Sequence, residues 1–440
     1  MRAGQDRASW WPRPATWSLL AALTLGAGCA DDPPPERPPI QTPPCEADPC
    51  SDTCIDARGS SDGCECDPLC DPCSSSCTPC EGVCTAYNGR AIRGLECDAM
   101  FVEETEHGTA RWSLEFDVDE RWPSWLLSVL TEEEMDLVGV TLPLPNGDVL
   151  DLASYDNLNV HQQQVSPTVL TLLMPSSPRF RPNLQSGRHV LTVATELGEV
   201  PCFRLAGQEA SLPPEPYLWV RVLGVGPRLG SVDDMRANEA LMEALVIAQG
   251  YLQDAGIRLY VYEWAVLPDV ERELLGVVDS LSSLRTLLQT LTRPAGDDAR
   301  SALAVNIALI DRFLGEYLLN GVTGGLPGPI ALHGSSAAGV VISTALLDRP
   351  FGIEQVGAVI AHELGHYLGL RHTSSFPLGG LDPLDDTPEC PLLTFLSDPF
   401  ECPDVDNMMF PAFSRHHDNQ WSPAQRQVMR WHPSVTPRTD

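Results

Sequence analysis

The alternation of apolar and polar positions changes character near residue 213. Upstream, "ARWSLEFDVD", "LVGVTLPLP", "TVLTLLMP" and "RHVLTVATE" are short runs with partial alternation, separated by Pro, Gly, Asn and Asp. Period-two runs between turn residues predict strands, and several together predict a small all-β, sandwich-like domain over 98–212. Downstream the pattern is mixed. "YLWVRVLGVG" and "IRLYVYEWAV" read as strands, and between them residues 238–256 form a long amphipathic helix closed by a glycine. "ELLGVVDSLSSLRTLLQTL" reads as helical, "ALAVNIALI", "GPIALHG" and "AGVVIST" as strands, and a further helix begins near Gly352. The chain is therefore expected to be multidomain, with an α/β (α+β) domain over 213–440. No internal repeat is evident.

The N-terminal part follows neither pattern. Arg2, Arg7 and Arg13 precede the apolar run "SLLAALTLGAG" and then Cys29. That run is too short for a mature membrane span but suits a signal peptide, and small residues directly before a cysteine resemble the bacterial lipobox. The expectation is a lipoprotein-type signal over 1–28 and acylation at Cys29. Plain secretion is the alternative. Residues 29–44 are a proline-rich tether. Of 15 cysteines, ten lie between Cys45 and Cys84 among Asp, Ser, Pro and Gly, with almost no large apolar residues. In an exported chain this reads as a disulfide-rich segment over 45–97 rather than a zinc module. The later cysteines suggest two further pairs, Cys97 with Cys202 and Cys390 with Cys402.

Charge narrows the partners. Sixty acidic residues against 28 basic ones, all of them Arg, give a formal charge of −32. Nucleic acid and anionic membrane surfaces are not expected partners, and membrane contact is expected only through the lipid anchor.

The chemistry concentrates in "VIAHELGHYLGLRHT", which holds three of the ten histidines. Val356, Ile360, Leu364 and Leu368 form the buried stripe of a helix, and His362 and His366 project from the opposite face, one turn apart. Imidazoles so spaced reach one Zn²⁺, with Glu363 beside it able to hold a water without binding the metal. Gly369 can end the helix in the left-handed conformation, letting His372 return as third ligand. Three protein ligands leave a fourth position for water, the arrangement of a catalytic site.

"HELGHYLGLRH" resembles the HExxHxxGxxH signature of the metzincin metalloproteases. "DNMMFPAF" is similar to their Met-turn. Its Asn-x-Met form selects Met409, with Met408 as the other candidate. Thr373 after the third histidine, "DDTP" at 385–388 and the closing "WSPAQRQVMRWHP" look like the pappalysin-type branch. The resemblance covers roughly residues 215 to 435. It implies a catalytic domain with a twisted mixed sheet and an active-site helix, Zn²⁺ on His362, His366 and His372, and Glu363 as proton carrier in peptide-bond hydrolysis. It also implies an extended protein or peptide substrate paired with an edge strand, one flanking His333 being a candidate. Pro411 stands where several members carry a tyrosine, so no tyrosine donor is expected there.

Asp382, Asp385, Asp386, Glu389, Asp398, Glu401, Asp404 and Asp406 crowd the segment from 373 to 414, which has no basic residue before the Arg at 415. Three readings stand: a solvated acidic loop, a structural Ca²⁺ site as the resemblance allows, or a wall favouring basic substrate residues. A different functional class also stands, a surface-displayed binding or adhesion protein whose zinc domain is inactive or secondary. The intact Glu363 argues against it.

Acylation at Cys29 is directly testable. The wild type should take up a lipid label, whereas Cys29→Ser should lose the label and leave the precursor uncleaved by lipoprotein signal peptidase. An unlabelled wild type cut elsewhere between residues 27 and 32 would mean plain secretion.

Overall fold

The computed structural model describes strands at 85–86, 90–92 and 100–106 and most of the chain from 109 to 437. Residues 120, 132–136, 144–148, 152–167, 179–186, 196–200, 209–211, 293, 296–298, 315–318, 350, 375–381 and 413–418 lie outside the described residues. So do the signal, Cys29, the tether, the ten clustered cysteines and Cys97.

Among the described residues ten strands precede residue 213: β1 (Thr85–Ala86), β2 (Arg90–Ile92), β3 (Met100–Glu106), β4 (Thr109–Val118), β5 (Ser124–Leu130), β6 (Leu137–Pro143), β7 (Val149–Asp151), β8 (Val169–Met174), β9 (Gly187–Thr195) and β10 (Cys202–Gln208). They form two antiparallel sheets, ordered β1-β2-β10-β5-β8 and β3-β4-β9-β6-β7. β2 pairs with β10 and β1 with β2, which extends the β region upstream of residue 98. Strand β4 alternates as expected, with Trp112, Leu114 and Phe116 inward and Glu115 and Asp117 exposed. Its inner face shares one core with Trp125, Leu127 and Val129 of β5, Leu170 and Leu172 of β8, and Phe203 and Leu205 of β10.

The opposite face of β5, β8 and β10 is buried too. Leu126, Leu173 and Ala206 belong to the core of the second domain. Polar groups on that face find partners across the boundary. Ser124 donates to the Trp431 carbonyl at 2.7 Å, Thr171 to the Pro327 carbonyl, and Arg204 to the Ala331 carbonyl. This sheet is therefore covered on both sides.

The second domain contains β11 (Tyr217–Gly224), β12 (Arg258–Val266), β13 (Val277–Val278), β14 (Val305–Ile310), β15 (Arg312–Phe313), β16 (Gly321–Thr323), β17 (Val340–Ser343) and β18 (Val435–Thr436). Its main sheet runs β12-β11-β14-β17-β16, with β18 antiparallel on β11. β12, β11, β14 and β17 are parallel, and β16 closes the edge antiparallel to β17. Parallel strands buried on both faces need near-continuous apolar runs, which "VNIALI" and "VVIS" supply apart from the buried Asn306 and Ser343. One face carries the helices Glu239–Asp254 and Gly352–Tyr367. They approach closely because Gly357 has no Cβ, which would otherwise lie 2.6 Å from Ile247 Cγ2. The other face packs Leu223, Ile310 and Val341 on Leu275, Leu284 and Leu288. The chain is thus a multidomain α+β protein with a mixed sheet. Among the described residues no helix is long and apolar enough to cross a membrane.

Two expected elements differ. The stretch expected to be one helix over 273–291 divides into the helices Asp269–Leu275 and Leu281–Thr290 around β13, with Ser280 forming a capping box. "GPIALHG" is a loop, not a strand. Its backbone is committed elsewhere, Gly328 N–H to the Tyr367 carbonyl at 2.8 Å and Gly334 N–H to the Leu291 carbonyl at 2.9 Å, with Ala331 at φ 54°.

Leu173 carries the domain boundary. Leu173→Ala should destabilise the chain by about 2–5 kcal/mol, the usual range for a buried leucine, measured by chemical denaturation with unfolding still in one transition. An unchanged midpoint would show that the two domains do not share this core.

Candidate metal centre

The helix Gly352–Tyr367 is buried on all sides from Val356 to Tyr367, so the histidine face lies inside the protein. Its end is built around Gly369 at φ 104°, where Gly369 N–H reaches the His366 carbonyl and Leu370 N–H the Gly365 carbonyl. That turn places the Leu370 carbonyl 2.7 Å from His366 Nδ1. The Met408 carbonyl stands 2.7 Å from His362 Nδ1. A carbonyl only accepts, so both Nδ1 atoms carry the proton and both Nε2 atoms present lone pairs.

Those lone pairs converge. His372 Nε2 lies 3.1 Å from His362 Nε2 and 3.0 Å from His366 Nε2. Tetrahedral nitrogen ligands at the usual zinc distance of about 2.0–2.1 Å would stand about 3.3–3.4 Å apart. One proton on His372 Nε2 could serve only one neighbour, whereas a cation would satisfy all three. The donor set fits a zinc-type ion. Burial is the first cause of the low basicity of these imidazoles. His362 falls from 6.5 to about 3, helped by His366; His366 falls to about 4; and His372 is pushed well down by burial and then by both neighbours. Neutral imidazole is the metal-binding form.

Glu363 is buried beside the triad, and burial pushes its carboxyl up to about 7 against the lowering effect of the Thr323 hydroxyl. Thr323 Oγ1 lies 2.7 Å from Glu363 Oε2 and 2.8 Å from the Glu363 main-chain oxygen. Thr323 belongs to β16, the edge strand beside the triad, whereas the sequence points to a strand flanking His333. His333 stands apart from the triad, bonded to Asn306 at 3.1 Å and to the Ala302 carbonyl at 2.9 Å.

The two methionine candidates have separate places. Met409 is fully buried, and its sulfur lies against Gly365, where a Cβ would come within 2.8 Å of it. Met408 contributes the carbonyl that holds His362. Asn407 Oδ1 accepts from Met409 N–H at 2.8 Å, and the Asn407 and Gln425 amides pair at 3.1 and 2.9 Å. Gln425 also completes the capping box of the helix Pro423–Trp431 with Ser422. Thr373 N–H donates to the Met409 carbonyl at 3.1 Å, so the segment after His372 is tied to the same turn. Asp404 fastens it again, accepting from Thr373 and Ser374 hydroxyls, each at 2.6 Å.

Cys390 and Cys402 are bonded to each other. Cys202 is disulfide-bonded to a residue outside the described ones, where its expected partner Cys97 also lies. The acidic segment is largely occupied by its own chain. Asp382 accepts from Leu384 N–H and Thr387, Asp386 caps the last helix through Ser422 and Ala424, and Asp398 caps Phe400. Burial pushes the Asp382 carboxyl up to about 7. Among the described residues the only other convergent set of potential ligands is Cys390, Cys402 and Asp404, whose cysteines are already bonded. The calcium reading gains no grouped carboxylates there.

No protein-family model matches the chain, and no curated protein matches it. Among solved structures, the Bacillus subtilis protein YxiM aligns at 8% identity with a TM-score of 0.13, over 51% of this chain and 56% of that one. A likeness so slight bears on neither fold nor function.

The buried imidazoles make metal-free stability depend on pH. Their folded pKa values lie below the ordinary 6.5, so between about pH 6.5 and 4 the unfolded chain binds more protons than the folded one. The histidine contribution is fully present above 6.5 and is lost as pH falls. Glu363 and Asp382, whose carboxyls burial pushes up to about 7, act in the opposite direction, so the histidine part is read by difference: between pH 7.5 and pH 5 the chelator-treated wild type should lose more melting temperature than His366→Gln. A wild type and variant with the same slope would contradict the buried, neutral triad.

Proposed function

We propose that the chain is a zinc-dependent endopeptidase of the metzincin type, pappalysin-like, acting on extracellular or periplasmic proteins. The observation that carries this reading is the convergence of three Nε2 atoms, two of them aimed by backbone carbonyls, next to a buried carboxylate that is not one of the converging ligands. The mixed sheet with an antiparallel edge strand and the sulfur of Met409 against Gly365 support it further. The expected export signal and Cys29 support a lipid-anchored protein on the cell surface or outer membrane. The disulfide-rich segment and the tether would then hold the two folded domains away from it.

His362, His366 and His372 would hold the ion. Bound there, zinc supplies Lewis acidity toward a peptide carbonyl and lowers the pKa of a water. The remaining work falls to the protein. An extended peptide pairs its main chain with β16, the terminal strand of the sheet, which runs beside Glu363. Glu363 takes a proton from the attacking water as the water oxygen bonds to the carbonyl carbon. It then passes that proton to the departing amine as the carbon–nitrogen bond breaks, leaving a carboxylate and an amine. Burial suits Glu363 to both halves, because a carboxyl near neutrality can accept and return a proton.

Glu363→Gln should retain about one zinc per chain and lose peptidase activity by about 10²–10⁴-fold, assayed on a generic protein substrate with and without chelator. Stoichiometric zinc with wild-type turnover would remove the assigned role.

A further inference from the structure

We infer that Thr323 is a positioning residue for Glu363, and that Gly321 is the clearance allowing the contact. The inference rests on the reading of Glu363 as the proton carrier. Residues two apart on a strand share a face, so Gly321 and Thr323 both face the active-site helix. Val322 between them packs into the core on the far side of the sheet. Thr323 is 7% exposed, and pairing with Val340 holds its backbone in the ladder.

A glutamate on a helix has three side-chain torsions and no intrinsic aim. A β-branched threonine is stiff at χ1, so its hydroxyl oxygen is a fixed point 2.7 Å from Oε2, with one rotatable proton to offer. The same hydroxyl lies 2.8 Å from the Glu363 carbonyl, so side chain and main chain of one residue are gauged from one point. Gly321 makes room for this. A Cβ there would lie 2.6 Å from Glu363 Cγ, 2.8 Å from Oε1 and 2.6 Å from Val359 Cγ1. Neither residue is among the converging ligands, so their effect should be on turnover rather than on metal content.

Thr323→Val keeps the shape and removes the hydroxyl. It should lower kcat by about 10- to 100-fold, the range for a hydrogen bond to a charged group. KM, zinc content and the visible spectrum of the cobalt-substituted protein should stay at wild-type values. Thr323→Ser should restore most of the lost turnover. If Thr323→Val fails to fold, Gly321→Ala provides the second arm, with lowered kcat at full zinc content expected. Wild-type kcat in Thr323→Val or in Gly321→Ala, or a loss explained by lost zinc, would overturn the inference. A wild type without chelator-sensitive peptide hydrolysis would instead remove the peptidase reading itself. An active wild type, a silent Glu363→Gln and an unaffected Thr323→Val would remove this inference alone.

Discussion

The centre depends on two backbone carbonyls, those of Met408 and Leu370, which take the Nδ1 protons of His362 and His366. With those protons placed, the two Nε2 lone pairs have nowhere to point but toward each other and His372. Much of the surrounding structure serves to hold these two oxygens. The Leu370 carbonyl is set by the left-handed turn at Gly369, which also ends the helix. The Met408 carbonyl is set by the turn after Asn407, whose amide is locked to Gln425 in the last helix. A side chain at position 365 would displace the Met409 sulfur from that floor, so the glycine in "HELGH" is a packing requirement as much as a motif letter.

The loop 327–331 ties the rest together. Its Gly328 N–H and Pro329 carbonyl bond the main chain and hydroxyl of Tyr367 at the end of the histidine-bearing helix. The Gly328 carbonyl faces His432 Nε2 at 3.0 Å, while Pro327 and Ala331 take Thr171 and Arg204 of the β domain. Leu173 of that domain sits against Gly369 itself, 2.8 Å from where a Cβ would be. Elements distant in sequence therefore meet at the turn that aims His366. The β domain is part of the support of the centre, joined to it by a shared core rather than a linker alone.

Local pattern made many of the elements legible. Strands β4, β6, β8 and β9 lie where alternation placed them, and the helix Glu239–Asp254 ends at Gly256 as its glycine suggested. The three histidines were legible because a helix turn and a glycine turn are local events. The Cys390–Cys402 bond was legible because the pair is close in sequence. What was not legible is non-local. β5, "SWLLSVL", has no alternation because both its faces are buried against different domains. β16 is three residues long and carries no pattern, yet it supplies Thr323. "GPIALHG" looks like a strand because it is apolar, and it is apolar because Ile330 and Leu332 are buried. Met408 and Met409 are the same residue type, and only the turn gives one a carbonyl role and the other a sulfur contact.

The proposed chemistry requires the three imidazoles to share one ion with a position left open. X-ray absorption at the zinc edge of metal-loaded full-length protein tests this most directly. The predicted spectrum shows three imidazole nitrogens at about 2.0–2.1 Å and one light oxygen-type ligand, with no sulfur. Losing one imidazole in His372→Gln should leave two. Sulfur bound to the metal, four protein ligands, or failure to hold stoichiometric zinc would contradict it.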